Sequence, residues 1–246
     1  MYRDKSKLLI ALKKSIEIFD QEYKNKNFII VFRETDGQVN CKKLIFRAKH
    51  FLHLTGIIFK DHENKDYYKD DDNRYYYLDE KGKKKFASTT NTKFRKGNKN
   101  TYYIQGVASD FYKLCLKNKL NTSRIEEKEN GTTFQKLEIF PQLSTLMKSS
   151  SLVGYFNENG YELVADYFLG NTKKTAAIGF CCDTHYDIPK TLLSKDIKLL
   201  TQKPCPVISI YKKDINEPSY HLTYQSKNLV LKPEQLPDEI RELLEH

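Results

Sequence analysis

The apolar residues of this 246-residue chain keep two different periods, and the change from one to the other near residue 150 constrains the fold most. In the front half Leu8, Leu9, Leu12, Ile16 and Phe19 recur at three- and four-residue steps with lysines opposite, which predicts an amphipathic helix over residues 4–24. β-rich runs at 28–33 and 39–46 flank Asp36-Gly37 and predict a hairpin, and a short helix over 48–55 is stopped by Gly56. Helical spacing returns at Tyr102, Ile104, Val107, Phe111, Leu114 and Leu120, and again over 134–147 with an interruption at Pro141. From Leu152 onward short apolar runs at 153–156, 161–169 and 175–182 are separated by Asn- and Gly-rich turns, the pattern of an antiparallel meander. A segment at 189–193, strands at 206–212 and 220–225 and a helix over 233–243 follow. The expected class is α+β: N-terminal helices and a hairpin packed on a curled antiparallel sheet, one domain over 1–243. The terminal Leu244-Glu245-His246 reads as a tag remnant.

Residues 60–100 break this regularity. Asp70-Asp71-Asp72, Tyr75-Tyr76-Tyr77 and Lys83-Lys84-Lys85 stand among Asn and Thr with few aliphatic residues. A polar hairpin around Glu80-Lys81-Gly82 is expected within a long excursion, and its plainest reading is an unstructured surface insertion.

Lys and Arg outnumber Asp and Glu by 42 to 32, a formal charge of +10 that favours polyanionic partners through counterion release. A solvated lysine surface explains the same excess, so charge alone does not decide. The 17 tyrosines and 14 phenylalanines, with no tryptophan, serve either a wet core or base stacking. Five cysteines without C-x-x-C spacing argue against a disulfide framework or a structural zinc site and for a reducing cytoplasm. No apolar run approaches the roughly 20 residues of a membrane span, so no membrane association is expected.

Phosphate-binding glycine loops, nucleophile elbows and zinc-helix motifs are missing. The one dense carboxylate cluster, Asp70-Asp71-Asp72, lies in the least core-like stretch, so a mechanism without metal or cofactor is expected. The most specific local feature runs from Arg47 through Ala48, Lys49, His50 and His53 to Gly56, with two histidines on one helical face beside two cations. An imidazole can move a proton near neutral pH while Arg47 or Lys49 neutralises a phosphate. A capping or core histidine is the plain reading, with more weight for His50 than for His53. In the rear half, Lys190 and Thr191 follow Pro189 and are expected to place an ammonium and a hydroxyl on one phosphate.

The run His53-Leu54-Thr55-Gly56-Ile57 resembles an H-L-x-G-[LI] element, and later elements agree in order. They are Phe111-Tyr112, Lys117 to Leu120, the 134–147 helix, Ala165-Asp166-Tyr167, Ala177 to Phe180 and Tyr186-x-x-Pro189-x-Thr191. Over residues 39–226 the chain resembles the phage-type Barnase/EndoU/colicin/RelE-like nucleases. It departs from them at Thr55, where a second leucine is common, and in the length of the 60–100 excursion. The resemblance implies a helical front end, a four-stranded antiparallel sheet whose concave face holds the site, and metal-independent RNA cleavage in a toxin, effector or conflict role of a phage or mobile element. It makes His53 the acid or base, gives the phosphate to Lys190 and Thr191, and gives substrate positioning to Tyr167 or Tyr186. RNA is then the expected partner, with a cognate inhibitor protein and the oligomeric state left open. Two rival readings share these residues: a basic binding module for RNA, DNA or a host defence factor, and a group transferase whose Tyr167, His53 and Thr191 line a nucleotide pocket.

Overall fold

Alternating burial along one strand organises the molecule. The computed structural model describes residues 5–61, 66–87, 94–98, 100–157, 165–172 and 176–244. In it β1 (Lys26–Arg33) is buried on both faces. Phe28, Ile30 and Phe32 join the main core, whereas Ile29 and Val31 pack with Tyr220 and Ile240 on the other side. The first helix, α1 (Lys5–Glu22), buries Leu8, Leu12, Ile16 and Phe19 against that main core. β2 (Val39–Phe46) returns through a turn at Gly37, whose φ of 93° suits glycine.

The short α2 (His50–Thr55), β3 (Ile58–Phe59) and the excursion come next. The excursion holds β4 (Tyr68–Lys69), β5 (Tyr75–Leu78), β6 (Lys84–Phe86), β7 (Phe94–Lys96) and β8 (Tyr102–Ile104). Then come α3 (Ala108–Leu116), β9 (Ile125–Glu126), α4 (Thr132–Ile139) and α5 (Leu143–Leu146). The rear half is β10 (Leu152–Phe156), β11 (Tyr167–Gly170), β12 (Ala177–Cys181), β13 (Ile188–Leu193), α6 (Ile197–Leu200), β14 (Thr201–Asp214), β15 (His221–Gln225) and α7 (Asp238–Leu244).

The main sheet has the order β13-β12-β11-β10-β14-β1-β2, with β15 also paired to β14. All its strand pairs are antiparallel; β10 to β12 form the expected meander, and the segment at 189–193 extends it as β13. The long β14 joins the two halves of the chain, pairing with β10 through its first residues and with β1 through its last. The sheet curls until its ends meet: Leu44 bridges Asp187, with Asp187 N–H donating to the Lys43 carbonyl at 2.7 Å and Ile45 N–H to the Asp187 carbonyl at 3.1 Å. Core residues from β1, β2 and β10 to β14 converge on one cluster with α1 to α5, so the inward face is filled by helices. Phe168 and Ala177 on the opposite face are covered by Ile197 and Leu200 of α6.

Three expectations change. Tyr102 to Ile104 form a strand, and the helix there starts only at Ala108 and ends at Leu116. Gly106 separates the two; a Cβ on it would stand 2.5 Å from the Phe59 ring, so the backbone passes flat over that side chain. The sheet has eight strands rather than the four that the resemblance implied, because the front hairpin and β14–β15 extend the meander. The excursion is folded where described: Tyr75 stacks on Phe94 with centroids 3.9 Å apart, Tyr67 sits edge-on to both Phe94 and Tyr77, and Tyr67 bridges Tyr102. Tyrosine pairs replace aliphatic residues as its core. The β5–β6 hairpin turns at Gly82 as expected. Residues 161–164 of the second strand expected in the meander lie outside the described residues. No helix among the described residues is long and apolar enough to cross a membrane.

Candidate active site

Helix α2 is too short to stand alone, and its C-terminus is fixed from outside. Gly56 closes it at φ 67°, donating to the Leu52 carbonyl at 3.2 Å. Two side chains of α4 then reach across: Thr133 Oγ1 donates to the Gly56 carbonyl at 2.8 Å and Lys136 Nζ to the His53 carbonyl at 3.2 Å. The Lys136 stem runs over Gly56 so closely that a Cβ there would lie 2.9 Å from its Cδ. Glycine at position 56 therefore serves both the backbone turn and the lysine crossing. Thr55, the departure from the family pattern, is buried and donates its hydroxyl to the Leu52 carbonyl at 2.9 Å.

The two histidines of α2 differ in kind. His50 is buried, and its Nδ1 accepts the Arg47 backbone N–H at 3.1 Å. Burial first, then the charges of Lys49, His53, Arg47 and Lys190, push its pKa down to about 3. It is a neutral structural imidazole. His53 is exposed, though the elements around it crowd the ring enough to disfavour its charged form. That desolvation is the largest influence lowering its pKa below 6.5, followed by the charges of Lys190, Lys136, Arg95 and Lys128. The strongest charges bearing on it are all positive. Its neutral, proton-accepting form predominates at neutral pH.

Lys190 reaches this position through an irregularity in β13. Gly179 pairs with Thr191 and Phe180 with Pro189, so Lys190 is the extra residue of a β-bulge. Such a bulge re-aims a side chain. Lys190 is exposed, α2 packs against β13, and its charge weighs on both His50 and His53.

Thr191 goes elsewhere. Its Cγ2 packs at Gly179 beside Phe168 and Ala165, the sheet face away from α2. Thr191 thus packs toward the α6 side while the Lys190 charge bears on the histidines of α2, so the expectation that the two share one phosphate is corrected. Tyr167 is also corrected as a substrate contact: it is fully buried, stacks on Phe180 at 5.3 Å and donates its hydroxyl to Asp187 Oδ2 at 2.7 Å. Burial and the Asp187 carboxylate push its pKa well above the usual tyrosine range. Asp187 is the residue whose backbone closes the curl, so Tyr167 braces that closure. Tyr186 is half-buried and neighbours Tyr220, which belongs to the cluster on the far side of β1. The group-transferase reading asked Tyr167, His53 and Thr191 to share one pocket; Tyr167 is buried against Phe180 and Thr191 packs toward the α6 side. Arg47 and Lys49 are exposed where the chain leads into α2, near enough for their charges to weigh on His50.

Three cations were missed by the sequence: Arg95 of β7, Lys128 and Lys136. Lys136 is buried, and burial with the nearby Lys128 charge pushes its pKa down to about 8. Its Nζ contacts a carbonyl rather than a carboxylate. The only available signal was its place on the buried face of α4 between Thr133 and Leu137. Among the described residues no three His, Cys, Asp or Glu side chains gather as a metal site. Asp70 and Asp72 of the acidic run instead pair with Arg74.

The family described as phage-Barnase-EndoU-ColicinE5/D-RelE like nuclease4 matches residues 96–229, more than half of the chain. The matched stretch contains Lys128, Lys136 and Lys190, while Arg47, Lys49, His53 and Arg95 precede it. No curated protein and no solved structure matches.

Proposed function

The chain belongs to the phage Barnase-EndoU-ColicinE5/D-RelE like nucleases, and from that membership we propose that it is a ribonuclease working without a metal ion at the α2–β13 rim. His53 accepts the 2′-hydroxyl proton, the 2′-oxygen bonds to the adjacent phosphorus, and the bond to the 5′-oxygen breaks. The leaving oxygen takes up a proton, and a 2′,3′-cyclic phosphate remains. Lys190 neutralises the phosphate as negative charge grows on it.

The observation that carries this reading is a solvent-accessible imidazole held below its usual pKa among Lys190, Lys136, Arg95 and Lys128. A base must be unprotonated at working pH and close to cations that hold the anionic substrate. Both conditions follow from one arrangement. The phage-type family description supports a toxin or effector role in conflict between genetic elements.

Incubation with total RNA in EDTA, resolved on a denaturing gel, tests the reading. The parent protein is expected to cleave, and His53→Ala to slow cleavage by about 10²-fold or more, the usual contribution of a positioned base. Cleavage at the parental rate by His53→Ala removes the assignment. Salt-sensitive binding of RNA with no product identifies a binding module instead.

A further inference from the structure

Two lysines are buried among the described residues: Lys60 meets Asp66 and Glu126, whereas the Lys136 ammonium meets the backbone carbonyl of the candidate base. We propose that Lys136 is a positioning residue that fixes both the place and the charge state of His53, through its bond to the His53 carbonyl and the buried cation it keeps at that turn of α2. The inference deepens the ribonuclease reading of this site and rests on it for its catalytic consequence.

The geometry is specific. Lys136 is 6% exposed, although a lysine of ordinary function keeps its ammonium in water. Its stem is admitted only because position 56 has no Cβ, and its Nζ ends 3.2 Å from the His53 carbonyl at the close of α2. The last carbonyls of a helix lack intrahelical donors, so the ammonium supplies a missing partner and a charge suited to that end. Thr133, one helical turn earlier on α4, secures the next part of the same turn through the Gly56 carbonyl. Two side chains of one helix therefore hold the segment that carries the imidazole.

The charged and titratable groups bearing on His53 come from several elements: Lys190 from β13, Arg95 from β7, Lys128 from the segment before α4, Lys136 from α4 and His50 from its own helix. Lys190, Arg95 and Lys128 are exposed and able to move toward a bound phosphate. Lys136 is the buried member and remains in place. Since its own pKa is lowered to about 8, its charge is mostly present at neutral pH and fades as pH rises through that value.

Histidine proton titration by NMR, on the full chain with parent, Lys136→Met and Lys136→Arg, tests the proposal without requiring turnover. In the parent, His53 is expected to titrate below 6.5. In Lys136→Met its midpoint rises by about half a pH unit or more, because a like charge has gone. The acid limb of any RNA-cleavage profile moves up with it. An unchanged His53 midpoint in a folded Lys136→Met protein overturns the proposal. If Lys136→Met does not fold, Lys136→Arg decides: a parental His53 midpoint with lower kcat and unchanged KM supports positioning, and a midpoint released to 6.5 overturns it. Absence of RNA cleavage by every protein, with the midpoint moving as predicted, leaves the Lys136–His53 relation standing and removes the ribonuclease reading.

Discussion

His50 and His53 share a helix and differ in almost everything that decides what an imidazole does. His50 is enclosed and accepts a backbone N–H, so its folded pKa of about 3 lies far below 6.5. Below pH 6.5 the unfolded chain then binds the extra proton. Stability contributed by neutral His50 is complete above 6.5 and is lost as pH falls toward 3, with a limiting slope of about 1.4 kcal/mol per pH unit. His50→Gln, followed by denaturation at pH 7 and pH 5, is expected to flatten that acid sensitivity while leaving His53 to react. At Thr191 the prediction runs opposite to the motif. Thr191→Val packs the same volume against Gly179 and Phe168, so RNA cleavage is expected to stay within about twofold of the parent, whereas Lys190→Ala loses on the order of 10-fold or more. A large rate loss in Thr191→Val contradicts the opposite-face assignment. The sequence singled out His53 and Lys190, and offered the core reading of His50 that its burial fits, because each sits in a short run with marked chemistry. The separation of Thr191 from Lys190 was hidden, since a period-2 rule applied to a short strand requires the register, and the bulge at Lys190 is visible only against β12.

At the scale of elements, the junction of α2 with α4 decides whether the base is held. Gly56→Ala forces a Cβ onto φ 67° and against the Lys136 stem. It should cost about 1–2 kcal/mol in chemical denaturation from backbone strain, and more if Lys136 is displaced. Phe19→Ala, at the contact of α1 with Phe51 of α2, is expected to cost about 3–5 kcal/mol through the cavity it leaves. The front helix, the hairpin and the meander were readable because their apolar periods are long or repeated. The excursion was not, because its β4–β8 segments are two to four residues each and their core is built from tyrosine and Phe94 rather than from the aliphatic residues whose spacing marks strands. Its consequence for the site, the delivery of Arg95 toward His53, depends on the β7–β8 pairing and leaves no local sequence mark.

Across the whole molecule, a curled sheet closed at Leu44 and Asp187 keeps its inward face filled with helices, so the candidate chemistry sits at the rim where α2 and α4 meet β13. The fold carries one electrostatic cost there. Lys136 has a folded pKa of about 8 against 10.5, so the unfolded chain binds more protons between those values. Stability is therefore expected to rise with pH over that window, and Lys136→Met to abolish the rise in denaturation series. The net charge of +10 predicts that RNA affinity falls steeply with salt, with Lys190→Ala reducing the slope of log K against log salt by about one. The most direct test of the account is the product made from an RNA oligonucleotide with one scissile linkage, followed by ³¹P NMR beside the same oligonucleotide carrying a 2′-deoxyribose at that linkage. A 2′,3′-cyclic phosphate from the first and no cleavage of the second is the predicted result; cleavage of both, or a 5′-phosphate product, contradicts it.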